Sequence, residues 1–175
     1  SGVVWVTTLL AGCVAATALP PVPPLGDSIL GHGDYRLSLL PGDVIDLEAG
    51  RATAPSGVEV ELLAAPRGRG DVNGDGAEDA GLVMRVTAPG QPPAYELVLV
   101  MNDAGLPRQQ ASVGLGTGTE VRGVTVDRGQ VDVTLITPSV ADAPDTSRSI
   151  EVRSFAFQAQ ALAETDASAL AMSTV

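Results

Sequence analysis

From Gly31 onward the chain alternates apolar and polar residues in short stretches broken by Gly, Pro, Asn and Asp. A period of two is what half-buried antiparallel strands require, because successive side chains point to opposite faces. In Tyr35-Arg36-Leu37-Ser38-Leu39 the residues Tyr35, Leu37 and Leu39 share one face. Val58 to Leu63 puts Val58, Val60 and Leu62 inside and Glu59 and Glu61 outside. Leu82, Met84 and Val86 share a face against Arg85 and Thr87. Tyr95 to Met101 is apolar on both faces apart from Glu96, which predicts a strand in the middle of a sheet. Asn102-Asp103-Ala104-Gly105 then turns the chain into a weaker strand over Gln109 to Leu115.

The clearest hairpin pairs Glu120 to Asp127 with Gln130 to Thr137, and Gly129 supplies the left-handed turn position that a short loop demands. Val131, Val133 and Leu135 point to one side and are expected to share a core with Leu97 and Leu99. In Ser149 to Phe157 the apolar phase changes from Ile150 and Val152 to Phe155 and Phe157, which predicts a β-bulge near Arg153-Ser154. Asp142-Ala143-Pro144-Asp145 reads as a mobile surface loop between strands. Few large apolar groups follow, so 159–175 is expected to be a flexible or helical tail. The pattern as a whole predicts an all-β, single-domain antiparallel sheet or meander of about seven to nine strands. That domain spans residues 31–158.

One stretch inside it carries chemistry. Counted from Asp71, side-chain oxygens fall at Asp71, Asn73, Asp75 and Asp79, which are positions 1, 3, 5 and 9, and Ala77 at position 7 offers its carbonyl. Gly74 and Gly76 allow the sharp turn. Three carboxylates this close repel one another unless a cation lies between them. An all-oxygen donor set without His or Cys suits calcium or magnesium and not zinc, and calcium is the expected ion. An EF-hand would close with a bidentate Glu at position 12, where Leu82 stands. An acidic surface turn without metal is the other reading these residues allow.

Gly70-Asp71-Val72-Asn73-Gly74-Asp75-Gly76-Ala77-Glu78-Asp79 resembles the D-x-[DN]-x-D-G-x-x-D loop of FG-GAP repeats, as in integrin α-subunits. The resemblance covers Arg69–Val83. It implies a calcium ion held by the side chains of Asp71, Asn73, Asp75 and Asp79 and by the Ala77 carbonyl. Propellers repeat this loop blade after blade, whereas this chain has one copy and no internal repeat, and its length excludes a full propeller.

Before the β region, Val3 to Ala18 is an almost unbroken apolar run. At 16 residues it falls short of the ~20 a membrane span needs and matches a signal-peptide core. Leu10-Ala11-Gly12-Cys13 within it resembles the bacterial lipobox. The resemblance implies residues 1–12 as a signal peptide with anchor-helix character, and a diacylglycerol on Cys13. The chain opens without a basic n-region, so the signal peptide is expected to be truncated. A buried strand with a core cysteine is the alternative. Residues 13–30 then hold the lipidated cysteine and a linker, in which Leu19 to Leu25 is proline-rich and predicts a semi-rigid spacer. Lipobox, spacer and strand-rich domain with one such loop together resemble uncharacterised envelope lipoproteins, which implies architecture and location and no activity.

Composition narrows the partners. A net charge of −11 makes nucleic acid a poor partner, and 3% aromatic residues leave few platforms for sugars or bases. Cys13 is the only cysteine, so no intramolecular disulfide forms. His32, the only histidine, lies in Gly31-His32-Gly33-Asp34; a dyad with Asp34 would lack a nucleophile, so it reads as a solvated loop residue. Arg69-Gly70-Asp71 is an integrin-type tripeptide, but its aspartate is the first expected calcium ligand. The resulting expectation is a non-catalytic, membrane-anchored envelope lipoprotein, facing periplasm or exterior. It would have a calcium-stabilised β domain that binds an unidentified protein or small ligand. The alternatives are a periplasmic inhibitor of a hydrolase and, less favoured, a hydrolase.

Overall fold

A computed structural model of the chain describes residues 21–138 and 148–172. A helical turn, α1 (Asp27–Leu30), leads into β1 (Gly33–Tyr35) and β2 (Ile45–Leu47), which pair with each other. A six-stranded sheet follows: β3 (Arg51–Thr53), β4 (Glu59–Leu62), β5 (Gly68–Gly70), β6 (Asp79–Thr87), β7 (Ala94–Asp103) and β8 (Leu106–Thr117). The last sheet holds β9 (Glu120–Asp127), β10 (Gln130–Pro138), β11 (Arg148–Gln158) and β12 (Ala161–Met172). All pairings are antiparallel.

The six-stranded sheet is the middle layer, in the order β3-β4-β6-β7-β8. β4 and β5 share one edge of β6, β4 pairing with Met84 to Thr87 and β5 with Asp79 to Gly81. The strand expected at the centre is there: β7 lies between β6 and β8 and is buried on both faces. On one face Leu82, Met84, Val98 and Val100 meet Leu25, Leu30, Tyr35, Ile45 and Leu47 from the N-terminal segment. On the other, Val83, Leu97, Leu99 and Met101 meet Val131, Val133, Leu135 and Phe155 of the four-stranded sheet. Each large side chain so buried contributes roughly 1.5–3 kcal/mol, so the two cores hold three layers together.

The two sheets meet most closely where β5 crosses β9. A Cβ on Gly68 would stand 2.8 Å from Val124 Cγ1, one on Gly81 3.0 Å from the same atom, and one on Gly70 would collide with the Val126 carbonyl oxygen. Three glycines therefore let the backbone that feeds the aspartate loop lie flat against the second sheet.

Several expectations hold in detail. Val58, Val60 and Leu62 are buried while Glu59 is exposed. Asp127 pairs with Gln130 around Gly129, whose φ is 78°. Ala104 and Gly105 (φ 53° and 92°) form the turn between β7 and β8.

Other expectations are corrected. β1 ends at Tyr35, and Arg36 to Leu39 is a strap instead of a strand. Side chains, not a ladder, take its backbone: Arg36 N–H donates to Gln109 Oε1, and the Ser38 and Leu39 amides donate to Glu96. The irregularity near Arg153-Ser154 lies between Ser154 and Phe155, and the unpaired residue is Thr165 on β12. β11 itself pairs with β10 in unbroken register, so Ile150 and Val152 stay on the face opposite Phe155. Residues 161–172, expected to be flexible or helical, form β12, because pairing with β11 outweighs the low strand propensity of alanine. Twelve strands stand among the described residues where fewer were expected. The three-residue pieces β1, β2, β3 and β5 are too short to carry a readable period. The expected signal peptide with its anchor helix, Cys13, and the expected loop Asp142 to Asp145 lie outside the described residues.

Candidate functional site

The aspartate loop joins β5 to β6. Gly70 pairs with Asp79, so the eight residues between them close a hairpin, and Gly74 and Gly76 turn it with φ of 80° and 85°. The loop's side-chain oxygens organise its backbone. The Asp71 carboxylate accepts N–H bonds from Gly74 (2.7 Å), Asp75 (3.2 Å) and Gly76 (2.8 Å). Asn73 Oδ1 accepts from the Asp75 amide at 3.0 Å, and its Nδ2 donates to Asp75 Oδ2 at 2.7 Å. Asp75 Oδ1 accepts from the Ala77 amide at 2.8 Å. The Ala77 methyl is buried and pins the turn to the protein.

Asp79 differs from the other three. It is fully buried, and its two oxygens accept from Val72 N–H (3.0 Å) and Asn102 N–H (2.9 Å). It thereby ties the start of the loop to the end of β7. Burial raises its pKa above the ordinary carboxylate value; the two N–H bonds oppose that, and the charges of Asp75 and Asp71 add to it. Among the described residues no arginine pairs with Asp71, Asp75 or Asp79. Nearby Arg69 reaches instead to the Leu25 carbonyl (2.8 Å), Asp27 (2.9 Å) and Glu78 (3.5 Å). The arginine of the Arg-Gly-Asp tripeptide is thus engaged by the N-terminal segment.

Among the described residues no three His, Cys, Asp or Glu side chains converge as ligands of a metal ion. The loop's donor chemistry nevertheless fits a hard cation. A carboxylate oxygen that accepts one N–H keeps a second lone pair, and the Ala77 carbonyl adds a neutral oxygen.

Two participants escaped the sequence reading. Asn102 is buried, donates from Nδ2 to the Pro23 carbonyl at 2.9 Å and accepts from the Gly105 amide at 2.8 Å. It was legible as a turn residue, but its bridge to a carbonyl 79 positions earlier was not. Glu96 is buried, has no cationic partner among the described residues, and holds the strap. Its signal was there, as the one charge between Tyr95 and Met101.

His32 is exposed, as expected, but its ring is a staple: Nδ1 donates to the Ser28 carbonyl (2.7 Å), and Nε2 accepts from the Ala49 amide (3.2 Å). A polar depression of about 350 Å³ is lined by residues including Glu59, Glu61, Arg51 and Arg85. Both of its arginines are engaged, Glu61 bonding Arg51 and Arg85. An apolar depression of about 320 Å³ lies at the other side of the sheet between Leu39, Leu40, Val58 and Pro92. Among the described residues no helix is long and apolar enough to cross a membrane.

Fold and loop together define a mostly β protein of three antiparallel sheets, with an aspartate-rich hairpin loop set on the middle one. The chain matches no protein-family model, no curated protein and no solved structure.

Proposed function

We propose that the chain is a non-catalytic lipoprotein of a bacterial cell envelope. Cys13 carries the lipid, Leu19 to Leu25 is the spacer, and the β domain binds a protein or small ligand or plays a structural part. Calcium on the 71–79 loop stabilises that domain. The observation that carries this reading is the Asp79 carboxylate, buried beside Asp71 and Asp75 with no arginine on any of the three among the described residues. A buried, uncompensated carboxylate is costly, and a cation among these oxygens removes the cost. Side-chain oxygens of Asp71, Asn73, Asp75 and Asp79 with the Ala77 carbonyl favour calcium, which accepts irregular oxygen cages, over magnesium, which demands a strict octahedron. Against catalysis, the sole histidine spends both ring nitrogens on backbone groups. Electrostatics argue against nucleic acid, since the chain carries a charge of −11.

Lipidation is tested in a bacterial host with a basic n-region placed before Ser1. The wild-type chain incorporates a fatty-acid analogue and stays with the membrane fraction, whereas Cys13→Ser accumulates as unlabelled precursor. Equal labelling and membrane retention of the two sinks the lipoprotein reading.

A further inference from the structure

We propose that the end of the molecule bearing the β7–β8 turn faces the membrane, and that Leu106 and Val22 dip into a zwitterionic lipid interface there; the inference rests on lipidation of Cys13. Leu106 is 70% exposed, the most exposed large hydrophobic residue among those described, and Val22 is 38% exposed. The two stand on segments that touch: a Cβ on Gly105 would lie 3.3 Å from Pro23 Cγ.

The N-terminal segment is fastened at this turn. The Pro23 carbonyl accepts from Asn102 Nδ2 at 2.9 Å, and Asn102 is itself buried. Leu25 is buried in the first core, and its carbonyl accepts from Arg69 Nη1 at 2.8 Å. Cys13 precedes Pro21 by eight residues. At ~3.6 Å per residue or less, a lipid on Cys13 holds Pro21 within about 30 Å of the bilayer. β7 leads away from this turn to the β6–β7 turn at its other end, and its ten residues span about 33 Å. With Pro21 close to this turn, a reach of about 30 Å lets the Leu106 end meet the lipid and falls short of what the opposite end, about 33 Å further along β7, would need.

Charge selects the surface. Asp103 and Arg108, which flank the turn, lie 3.8 Å apart and offset each other beside Leu106. The chain's net charge of −11, with the aspartate loop held to this end through Asp79 and Asn102, repels anionic lipid. Apolar side chains on a locally neutral turn favour zwitterionic headgroups.

The test uses the lipid-modified mature chain, from Cys13 on, in phosphatidylcholine vesicles; loss of residues 1–12 with the signal peptide removes Trp5, the only tryptophan. Leu106→Trp reports on the proposed contact and Gln91→Trp on the β6–β7 turn. Emission from Leu106→Trp is expected to shift to the blue and to be quenched by brominated acyl chains, while Gln91→Trp is unaffected. The mass of Cys13 is measured on the same samples. Acylated protein in which Leu106→Trp is quenched no more than Gln91→Trp overturns the orientation alone. A protein without lipid on Cys13 overturns the lipoprotein reading and this inference with it.

Discussion

Glu96 shows how a single residue can read as an exception and act as a fastener. It stands alone among apolar neighbours in β7, and its two oxygens receive the amides of Ser38 and Leu39. Glu96→Gln would turn an amide N–H₂ toward one of those N–H donors. A cost of about 1–3 kcal/mol is expected in chemical denaturation, while exposed Glu59→Ala stays within about 0.5 kcal/mol. Equal effects would remove the strap's dependence on Glu96. The apolar residues were far easier to place from sequence. Leu97, Leu99, Val131, Val133 and Leu135 share one core because a buried face repeats every second residue, and that repeat is local. The donors to Glu96 lie 58 and 57 positions earlier, beyond any local pattern.

At the scale of elements, the hairpins with full-length strands were legible and the pieces held by distant partners were not. β9 and β10 announce themselves through alternation and Gly129, and β6 and β7 through their apolar runs. β12 has a weak pattern of its own and takes its strand form from eleven pairings with β11. β5 has only Gly68, Arg69 and Gly70, and glycine is depleted in strands. Its glycines matter for what they leave out, since side chains there would strike Val124 and Val126 of β9. Gly70→Ala should push β5 away from β9, costing about 1–3 kcal/mol or more and disturbing the adjoining loop. Gly26→Ala, where φ is −71° and the nearest atom is 3.8 Å away, should be close to neutral. Thermal unfolding of both variants checks this, and a neutral Gly70→Ala would contradict the close crossing.

For the whole molecule, the loop is where layers and N-terminal segment are joined. The aspartates themselves were readable because all the proposed oxygen donors lie within nine consecutive residues. What they join was not readable: Asp79 to Asn102 on β7, Asn102 to Pro23, and Arg69 to Leu25 and Asp27 are contacts between segments far apart in sequence. A cation on the loop would therefore steady β5, the end of β7 and the start of the domain together. Without it, Asp71, Asp75 and Asp79 repel, and the buried Asp79 charge is opposed only by two amides. Extracellular calcium modules bind at ~10⁻⁴–10⁻³ M, so a few millimolar calcium should add roughly 1–2 kcal/mol.

The most direct measurement is thermal unfolding of the protein in a few millimolar calcium, in a few millimolar magnesium and in EDTA, alongside Asp75→Ala. The expected result is a melting temperature several degrees lower in EDTA, poor rescue by magnesium, and no calcium response in Asp75→Ala. A melting curve that is the same in EDTA and in added calcium would contradict the account and leave 71–79 an acidic turn held by its own backbone.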